Sequence, residues 1–252
     1  MYDYKQNIKT RFKKALNTYD SNAFAQKKIS LKLFDLIKDF SDKTKGNFFE
    51  IGCGTGFLTK KIFSELKPTI SYVNDLLQEC YDFFISEIEN KQNIIFLKGN
   101  AEEINFPTDI DFIISGSTFQ WFENPENFFR KSYNSLNENG LLIFNSFSPD
   151  NLKQIKELTA AGLSYFSKAE ILNFSENYFD LLIVENETIN LEFNSPFDVL
   201  RHLKLTGVNS FSSGLKTKNA IKIFEQEYYS KFKTENGVGL TYSPVYFVMR
   251  RK

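Results

Sequence analysis

The chain has 252 residues, and 31 lysine and arginine residues balance 31 aspartate and glutamate residues. This balance argues against a uniformly basic nucleic-acid-binding protein and against a polybasic membrane protein. No apolar run approaches the roughly 20 residues that cross a bilayer, and the start lacks a run of signal-peptide length. Two cysteines are too few for a disulfide framework or a zinc site. We therefore predict a cytoplasmic monomer without a metal site and without nucleic-acid or membrane partners.

The first part of the chain has the apolar spacing of amphipathic helices. Phe12, Ala15, Leu16, Tyr19 and Ala23 recur at helical spacing. A second helix is predicted over residues 29–40. Together these residues form a helical lead-in over residues 1–40.

Strands and helices then alternate along the chain. The predicted strands are 47–51, 70–74, 94–97, 110–115 and 141–147, and the predicted helices are 57–66, 76–88 and 125–136. Asn124 and Pro125 are suited to begin the last of these helices, and Asn139-Gly140 is suited to end it. Such alternation favours right-handed crossovers and a parallel sheet with helices on both faces.

The alternation becomes less regular after Ser148. We predict a helix at 152–161, a connector, a long strand at 179–193, helices at 196–206 and 217–232, and a closing strand at 238–249. By analogy with class I methyltransferases, the two long strands form the antiparallel hairpin that ends a seven-stranded, mostly parallel, Rossmann-like α/β sheet. The prediction is a single domain over residues 1–252, with a lid at 1–40 and helical insertions at 150–178 and 195–235.

A glycine-rich turn follows the first predicted strand. Gly52, Gly54 and Gly56 allow close approach of a ligand to the backbone, at the sheet edge where α/β proteins bind ligands. A dinucleotide site prefers a third glycine where this chain has Phe57. S-adenosylmethionine has no phosphate and carries a sulfonium and an ammonium group, so the acidic Glu50 beside the turn favours this cofactor.

Further candidate residues stand at the ends of the next strands. Asp75 is placed to accept hydrogen bonds from the ribose hydroxyls, and Asn100 is placed to bind the adenine amino group. Acids or amides at successive strand ends make an ordinary tight loop a weaker explanation of the glycines. The predicted cofactor-binding residues are Glu50, Gly52, Cys53, Gly54, Gly56, Asp75, Leu76, Asn100, Ala101, Glu102 and Ser115.

Four segments carry a resemblance over nearly the whole chain to the malonyl-[acyl-carrier protein] O-methyltransferases of biotin synthesis. They are residues 11–26 with Arg11-Phe12-Lys13-Lys14-Ala15, Tyr19, Ala23 and Gln26; Glu50 to Gly56; Ser115 to Trp121; and Leu200 to Asn209. The second segment is common to many methyltransferases. The fourth is much more specific to this family, and Gln120-Trp121 supports it.

The resemblance implies methyl transfer to the free carboxylate of a malonyl thioester on a carrier protein, which initiates pimeloyl formation. A carboxylate is already ionised at neutral pH and needs no general base. Arg201 can hold a carboxylate through two parallel hydrogen bonds, although it can equally be a surface residue of its helix. The remaining catalytic candidates are His202, Tyr19, Gln120 and Trp121. Core packing is an alternative role for Tyr19 and Trp121, and a helix-stabilising role is an alternative for His202.

The sequence leaves open which surface docks the carrier protein, whether coenzyme A can replace it, and which alternative functions remain. Basic pairs that could dock an acidic carrier protein are Lys27-Lys28, Arg130-Lys131 and Lys216 with Lys218, and none is distinctive. Coenzyme A could replace the carrier protein. Alternative functions are a methyltransferase for another small molecule, such as a quinone precursor, a non-catalytic scaffold, and a nicotinamide-dependent dehydrogenase, which Phe57 argues against.

Overall fold

The computed structural model describes residues 4–41, 46–89, 91–159, 164–208 and 217–252. Contacts between Cα atoms divide the chain into two units. The sheet unit consists of residues 26–146, 166–186 and 245–252, and the helical unit consists of residues 1–25, 147–165 and 187–244. The division into a lid and insertions made from the sequence stays a prediction.

The strands are β1 Asn47–Ile51, β2 Ile70–Asp75, β3 Ile94–Lys98, β4 Ile110–Ser115, β5 Leu136–Phe147, β6 Phe179–Asn186, β7 Ile189–Phe193, β8 Val238–Tyr242 and β9 Pro244–Arg251. The helices are α1 Tyr4–Asn22, α2 Phe24–Ser41, α3 Phe57–Leu66, α4 Gln78–Phe84, α5 Pro125–Ser135, α6 Lys153–Thr159, α7 Lys168–Ser175, α8 Pro196–Leu205 and α9 Lys218–Phe232. Among the described residues no helix is long and apolar enough to span a bilayer.

Seven of these strands form one sheet, in the order β3-β2-β1-β4-β5-β9-β6. The pairs β1–β2, β1–β4, β2–β3 and β4–β5 are parallel, and β6 pairs antiparallel with β9. Strand order reverses beside β1, because β2 lies on one side of it and β4 on the other. The predicted class I methyltransferase fold, a mostly parallel sheet with an antiparallel last strand, is confirmed.

An aromatic cluster fills part of the core of the sheet unit. It consists of Phe119, Phe128, Phe129, Phe144 and Phe247, all buried. The rings of Phe144 and Phe247 stack at 4.9 Å between centroids, and Phe119 lies 5.1 Å from Phe144. These residues come from strands and from the segment between β4 and β5, so the cluster joins sheet and helix through burial of large apolar surfaces.

The predicted cap of α5 is confirmed, but its predicted end is wrong. Asn124 Oδ1 accepts a hydrogen bond from the amide of Asn127 at 3.0 Å. The helix ends at Ser135, and Leu136 already pairs with Ile110 in the sheet. Leu136 is buried in the core, and the extra residues that follow it form an irregularity in the pairing of β4 with β5. Asn139, with φ of 63°, lies within this irregularity instead of ending the helix.

Both long strands predicted near the end of the chain are broken. Residues 179–193 divide into β6 and β7, and residues 238–249 divide between β8 and β9. β6 pairs with β9 in the sheet unit, whereas β7 pairs antiparallel with β8 in the helical unit. Pro244 starts β9, and its missing N–H group cannot take part in a ladder. Its carbonyl instead accepts a hydrogen bond from the amide of Glu187, at 3.0 Å.

The predicted connector after residue 161 contains a helix, α7. Ser167 and Glu170 form a capping box at its start, a pattern that is visible in the sequence and that the prediction missed. The helix predicted at 152–161 is described as α6, and residues 160–161 lie outside the described residues. The helix predicted at 76–88 is shorter, because α4 is followed by a 3-10 turn at Ile85–Glu87.

The variant Phe144→Ala is expected to lower the free energy of unfolding by about 3–5 kcal/mol, since it removes a buried ring from the aromatic cluster. The control Phe24→Ala removes a ring that is 60% exposed. It should change the free energy of unfolding by less than about 0.5 kcal/mol. Urea unfolding followed by circular dichroism measures both changes. Equal losses in the two variants would contradict the central position of Phe144.

Candidate active site

The glycine turn is attached to the neighbouring strand through its backbone. The amides of Gly52 and Cys53 both donate to the carbonyl of Asn74 at 2.9 Å. Gly52, Gly54 and Gly56 have φ values of 74°, 53° and 73°, a region that residues with a Cβ atom rarely adopt. The chain therefore leaves β1 in a bend that glycine makes accessible, and α3 begins directly after it.

The glycines differ in what surrounds them. A Cβ atom added at Gly56 would lie 2.2 Å from Cγ of Phe84, and one added at Gly52 would lie 2.1 Å from Oγ1 of Thr118. A Cβ atom added at Gly54 would meet no atom within 4 Å. Gly52 and Gly56 are thus required by packing within the protein, whereas Gly54 presents bare backbone to open space. This open face fits a ligand that lies directly against the turn.

Asp75 joins the turn to the end of β2. Its Oδ2 accepts a hydrogen bond from the amide of Gly54 and its Oδ1 accepts one from the amide of Leu77, each at 3.0 Å. Burial raises the pKa of the Asp75 carboxyl group. The amide of Leu76 and the thiol of Cys80 also donate hydrogen bonds that oppose this shift. The residue is only half-buried, so part of its carboxyl group is accessible to a ligand such as a ribose hydroxyl group.

Glu50 is a second carboxyl group at the same edge of the sheet. Its side chain is 5% exposed, and Oε2 accepts a hydrogen bond from Thr59 Oγ1 at 2.5 Å. Burial raises the pKa of Glu50 to about 8, the hydrogen bond from Thr59 opposes this shift, and the negative charge of Asp75 adds to it. Within the described parts of the chain, neither carboxyl group has a lysine or arginine among the groups that shift its pKa. A cationic ligand would supply the missing positive charge.

Asn100 and Glu102, the predicted cofactor residues after β3, make hydrogen bonds within the protein. Asn100 Oδ1 accepts from the amide of Glu102 at 3.1 Å, and its Nδ2 donates to Glu103 at 2.8 Å. Glu102 Oε1 accepts from the amides of Glu123 and Asn124, at 2.9 and 2.7 Å. The Glu102 carboxylate thus stabilises the segment that leads into α5. Adenine binding by Asn100 and cofactor binding by Glu102 stay predictions.

Three further predicted cofactor residues contribute mainly apolar surface. Cys53 and Ala101 are buried in hydrophobic clusters of the sheet unit, and Leu76 is half-buried. Burial raises the pKa of the Cys53 thiol well above its usual value, so this cysteine is not a thiolate at neutral pH. These residues can provide a wall for a ligand and no charge.

Residues at the end of β4 lie on the other side of β1 from Asp75. Ser115 is buried, and its hydroxyl donates to the carbonyl of Ile51 at 3.2 Å. Gln120 Nε2 donates to the carbonyl of Ser117 at 2.6 Å, while its Oε1 is buried and has no hydrogen-bond partner among the described residues. Trp121 is half-buried in the same 3-10 turn. The Ser115 hydroxyl therefore joins the ends of β4 and β1, and cofactor binding by Ser115 stays a prediction. Gln120 keeps one acceptor atom, Oε1, without a partner among the described residues.

Tyr19, Arg201 and His202 belong to the helical unit, and all other predicted site residues belong to the sheet unit. His202 is 3% exposed, and its Nε2 lies 2.9 Å from the hydroxyl of Tyr242. Burial lowers the pKa of His202 to about 4, and a hydrogen bond to the backbone of Asn22 opposes this shift. The ring is therefore neutral at pH 7 and is engaged in contacts within its own unit.

The other two residues of the helical unit have different settings. Arg201 is exposed on α8, as is Lys204 three residues later. Tyr19 is half-buried on α1, with its ring 6.3 Å from that of Phe12. The exposure of Arg201 leaves its guanidinium group available to a ligand. The catalytic roles of Arg201 and Tyr19 stay predictions.

Sequence analysis missed several residues that build this site. Asn74 precedes Asp75, and its Nδ2 donates to the carbonyls of Leu97 and Gly99 at 2.7 and 2.9 Å. These bonds join the ends of β2 and β3. Thr59 donates a hydrogen bond to Glu50. Its hydroxyl group in the first turn of α3, directly after the bend, was a sign in the sequence of such a role. A polar residue within a buried strand, such as Asn74, was another.

Comparison with known proteins agrees with this geometry. The family model described as a methyltransferase domain matches residues 49–144, which include the turn and β4. A malonyl-[acyl-carrier protein] O-methyltransferase from Haemophilus ducreyi is 37% identical over 244 residues, covering 96% of this chain and 95% of that protein. The chain belongs to the malonyl-[acyl-carrier protein] O-methyltransferase family.

Solved structures at lower identity share the fold of this methyltransferase. The YcgJ protein from Bacillus subtilis has a TM-score of 0.62 at 16% identity, covering 88% of this chain and 98% of that chain. An S-adenosylmethionine-dependent methyltransferase from Mesorhizobium loti has a TM-score of 0.51 at 14% identity, covering 82% of this chain and 91% of that chain. At such identities the likeness concerns the fold alone.

The raised pKa of Glu50 makes the stability of the ligand-free methyltransferase depend on pH. An unfolded glutamate titrates near about 4.3, whereas Glu50 in the folded protein titrates at about 8. Between these values folding retains a proton on Glu50, so its contribution to stability is complete at low pH and is lost as pH rises. The variant Glu50→Gln should therefore gain stability relative to the parent as pH increases, by up to about 1.4 kcal/mol per pH unit.

Urea unfolding at about pH 5 and about pH 8 measures this difference. The control Glu89→Gln removes an exposed carboxylate of the same unit. A stability difference between Glu50→Gln and the parent that is equal at both pH values would contradict the raised pKa.

Proposed function

We propose that this methyltransferase transfers a methyl group to the free carboxylate of a malonyl thioester carried by an acyl carrier protein. The observation that carries the proposal is the 37% identity, over 96% of the chain, to a relative named for this reaction. The initiation of pimeloyl formation for biotin synthesis, which the sequence resemblance implies, belongs to the same proposal.

The cofactor is S-adenosylmethionine, which supplies a methyl group on a positively charged sulfur. Three features of the sheet unit fit it. Gly54 offers an open backbone face, Asp75 is a half-buried carboxyl group beside it, and Glu50 adds a buried carboxyl group without a lysine or arginine of the described residues among the groups that shift its pKa. Asp75 would hold the cofactor by hydrogen bonds, the cationic cofactor would favour the ionised form of Glu50, and the bare backbone at Gly54 would allow close contact.

The acceptor must be a group that reacts without help from a histidine base. His202 is the only histidine in the chain. It is neutral, buried and engaged with Tyr242, so it is not available to take a proton from a substrate. A malonyl carboxylate is ionised at neutral pH and has no proton to lose. The task left to the protein is to position this carboxylate and to exclude water from it.

Arg201 is the residue we propose for binding the malonyl carboxylate. The guanidinium group is exposed on α8 and can donate two parallel hydrogen bonds. Ser195 and Pro196 define the start of this helix, with Ser195 Oγ accepting from the amide of Asp198 at 3.2 Å. A helix with a fixed start presents Arg201 in a defined direction. Tyr19, Gln120 and Trp121 complete the proposed catalytic set.

The proposed docking pairs for the carrier protein differ in how far they are engaged. Lys131 donates to the carbonyl of Ala101 at 2.7 Å, and Arg130 donates to Asn127 at 2.6 Å. Lys27 lies over the ring of Phe57 at 5.6 Å. Lys216 lies outside the described residues. The docking surface, the monomeric state and the cytoplasmic location stay predictions.

The acceptor assignment predicts a clear preference among carrier-protein thioesters. Radiolabelled S-adenosylmethionine should transfer its methyl group to malonyl carrier protein and not to acetyl carrier protein, because only the malonyl group has a free carboxylate. Counting label in the precipitated carrier protein measures this. Equal labelling of both thioesters, or labelling of neither, would remove the assignment.

The variant Arg201→Ala is expected to lower kcat/KM for malonyl carrier protein by about a hundredfold or more, since it removes two charge-assisted hydrogen bonds. Cofactor affinity should change little. Arg201→Lys keeps the charge without the paired geometry and should recover only part of the activity. The matched control is Lys204→Ala, which removes a second exposed cation from α8. Equal effects of Arg201→Ala and Lys204→Ala would return Arg201 to the role of a surface residue.

A further inference from the structure

Gln26 carries an unsatisfied polar atom in the sheet unit. Its side chain is 7% exposed, and its Oε1 is buried without a hydrogen-bond partner among the described residues. A buried acceptor that is left unpaired destabilises a folded protein, and native structures contain few of them. The Oε1 atom of Gln26 therefore indicates a missing donor.

The helix that carries Gln26 packs at the edge of the sheet where the turn lies. Lys27, the next residue, lies over the ring of Phe57, which is the first residue of α3 after the glycine turn. Leu33, two helical turns further along the same face as Gln26, lies 3.4 Å from the position of a Cβ atom added at Gly116, directly after β4. Helix α2 thus packs beside the turn at Lys27 and beside the segment after β4 at Leu33, which lies on the face that also carries Gln26.

Strand order gives the direction in which the cofactor would lie. Asn100 follows β3, Asp75 ends β2, and the turn follows β1, while the order β3-β2-β1-β4 continues to the side where Leu33 of α2 lies beside Gly116. If adenine and ribose lie at the ends of β3 and β2, the amino-acid end of the cofactor lies towards β4. That end carries an ammonium group with three N–H donors.

We propose that Gln26 Oε1 accepts a hydrogen bond from the α-ammonium group of the cofactor. This assignment rests on the cofactor site proposed above and adds a binding residue to it. The cofactor then satisfies the acceptor that the ligand-free protein leaves unpaired. Gln120, whose Oε1 is also buried and unpaired, lies beyond β4 on the same side of the turn.

The decisive experiment compares two ligands with the parent protein and with the variant Gln26→Leu. One ligand is S-adenosylhomocysteine, which retains the ammonium group, and the other is its analogue with hydrogen in place of the α-amino group. Isothermal titration calorimetry gives both dissociation constants. Gln26→Leu should weaken S-adenosylhomocysteine binding about 10- to 100-fold, the value of a hydrogen bond to a charged group. It should leave affinity for the analogue unchanged.

A loss of affinity that is equal for both ligands, or no loss for either, would overturn the proposal. The variant Gln26→Glu keeps an acceptor oxygen and should retain most of the affinity for S-adenosylhomocysteine. Neither measurement involves a methyl acceptor, so failure of the malonyl assignment would leave this result unaffected. Parent protein that binds neither ligand would instead remove the cofactor site itself.

Thermal unfolding of the ligand-free proteins provides the matched control. Gln154 is a buried glutamine of the helical unit whose amide is fully used: Nε2 donates to Thr241 Oγ1 at 2.8 Å, and Oε1 accepts from the amide of Thr241 at 3.2 Å. Gln154→Leu should lower the melting temperature and leave affinity for S-adenosylhomocysteine unchanged. Gln26→Leu should show the opposite pattern, with no fall in melting temperature. A fall in melting temperature for Gln26→Leu as large as that for Gln154→Leu would indicate a structural role and overturn the assignment.

Discussion

The contact between the Asp75 carboxylate and the amide of Gly54 is the interaction on which the site depends. It fixes the glycine turn to the end of β2, and the bonds from Gly52 and Cys53 to the carbonyl of Asn74 fix the turn to the same strand. Asp75 also holds the amide of Leu77 and so determines where the chain leaves the strand. One carboxylate thereby orients two segments of backbone beside the open face of Gly54.

This arrangement has an electrostatic cost. Asp75 and Glu50 share one edge of the sheet, and burial raises the pKa of both carboxyl groups. Removing a charge from water is unfavourable unless an opposite charge or hydrogen bonds compensate it. The hydrogen bond from Thr59 offsets part of this cost for Glu50. Burial of apolar side chains in the core of the sheet unit offsets the rest of the cost of the two carboxyl groups. A cation that binds beside these groups would favour their ionised forms and offset part of this cost.

The sequence was sufficient for the parallel half of the sheet. Strands such as β1 and β4 are short apolar runs buried on both faces, and the bends that follow them contain glycine, so pattern and structure coincide. Near the end of the chain the pattern was misleading. A continuous run of alternating residues does not reveal that its two halves pair in different sheets, because pairing partners are a tertiary property.

Site prediction had the same limits. Spacing from the strands located Glu50, Gly54 and Asp75, since strand ends meet at one edge of a parallel sheet. It could not show that the Glu102 carboxylate is occupied by backbone amides, or that His202 is enclosed by its own unit. Nor could it show that Gln26, which carries part of the family resemblance, has an unpaired acceptor, because this becomes apparent only when the neighbours of the side chain are known.

The enclosure of His202 carries the final step of the chemical argument. A methyltransferase acting on a phenol or an amine must remove a proton, and histidine is the side chain best suited to do so at neutral pH. Here the one histidine is held neutral by burial and engaged by Tyr242. A carboxylate acceptor removes the need for a base, so selectivity rests on recognition of negative charge. The chain can therefore use its histidine for internal packing, while binding of the acceptor carboxylate by Arg201 stays a prediction.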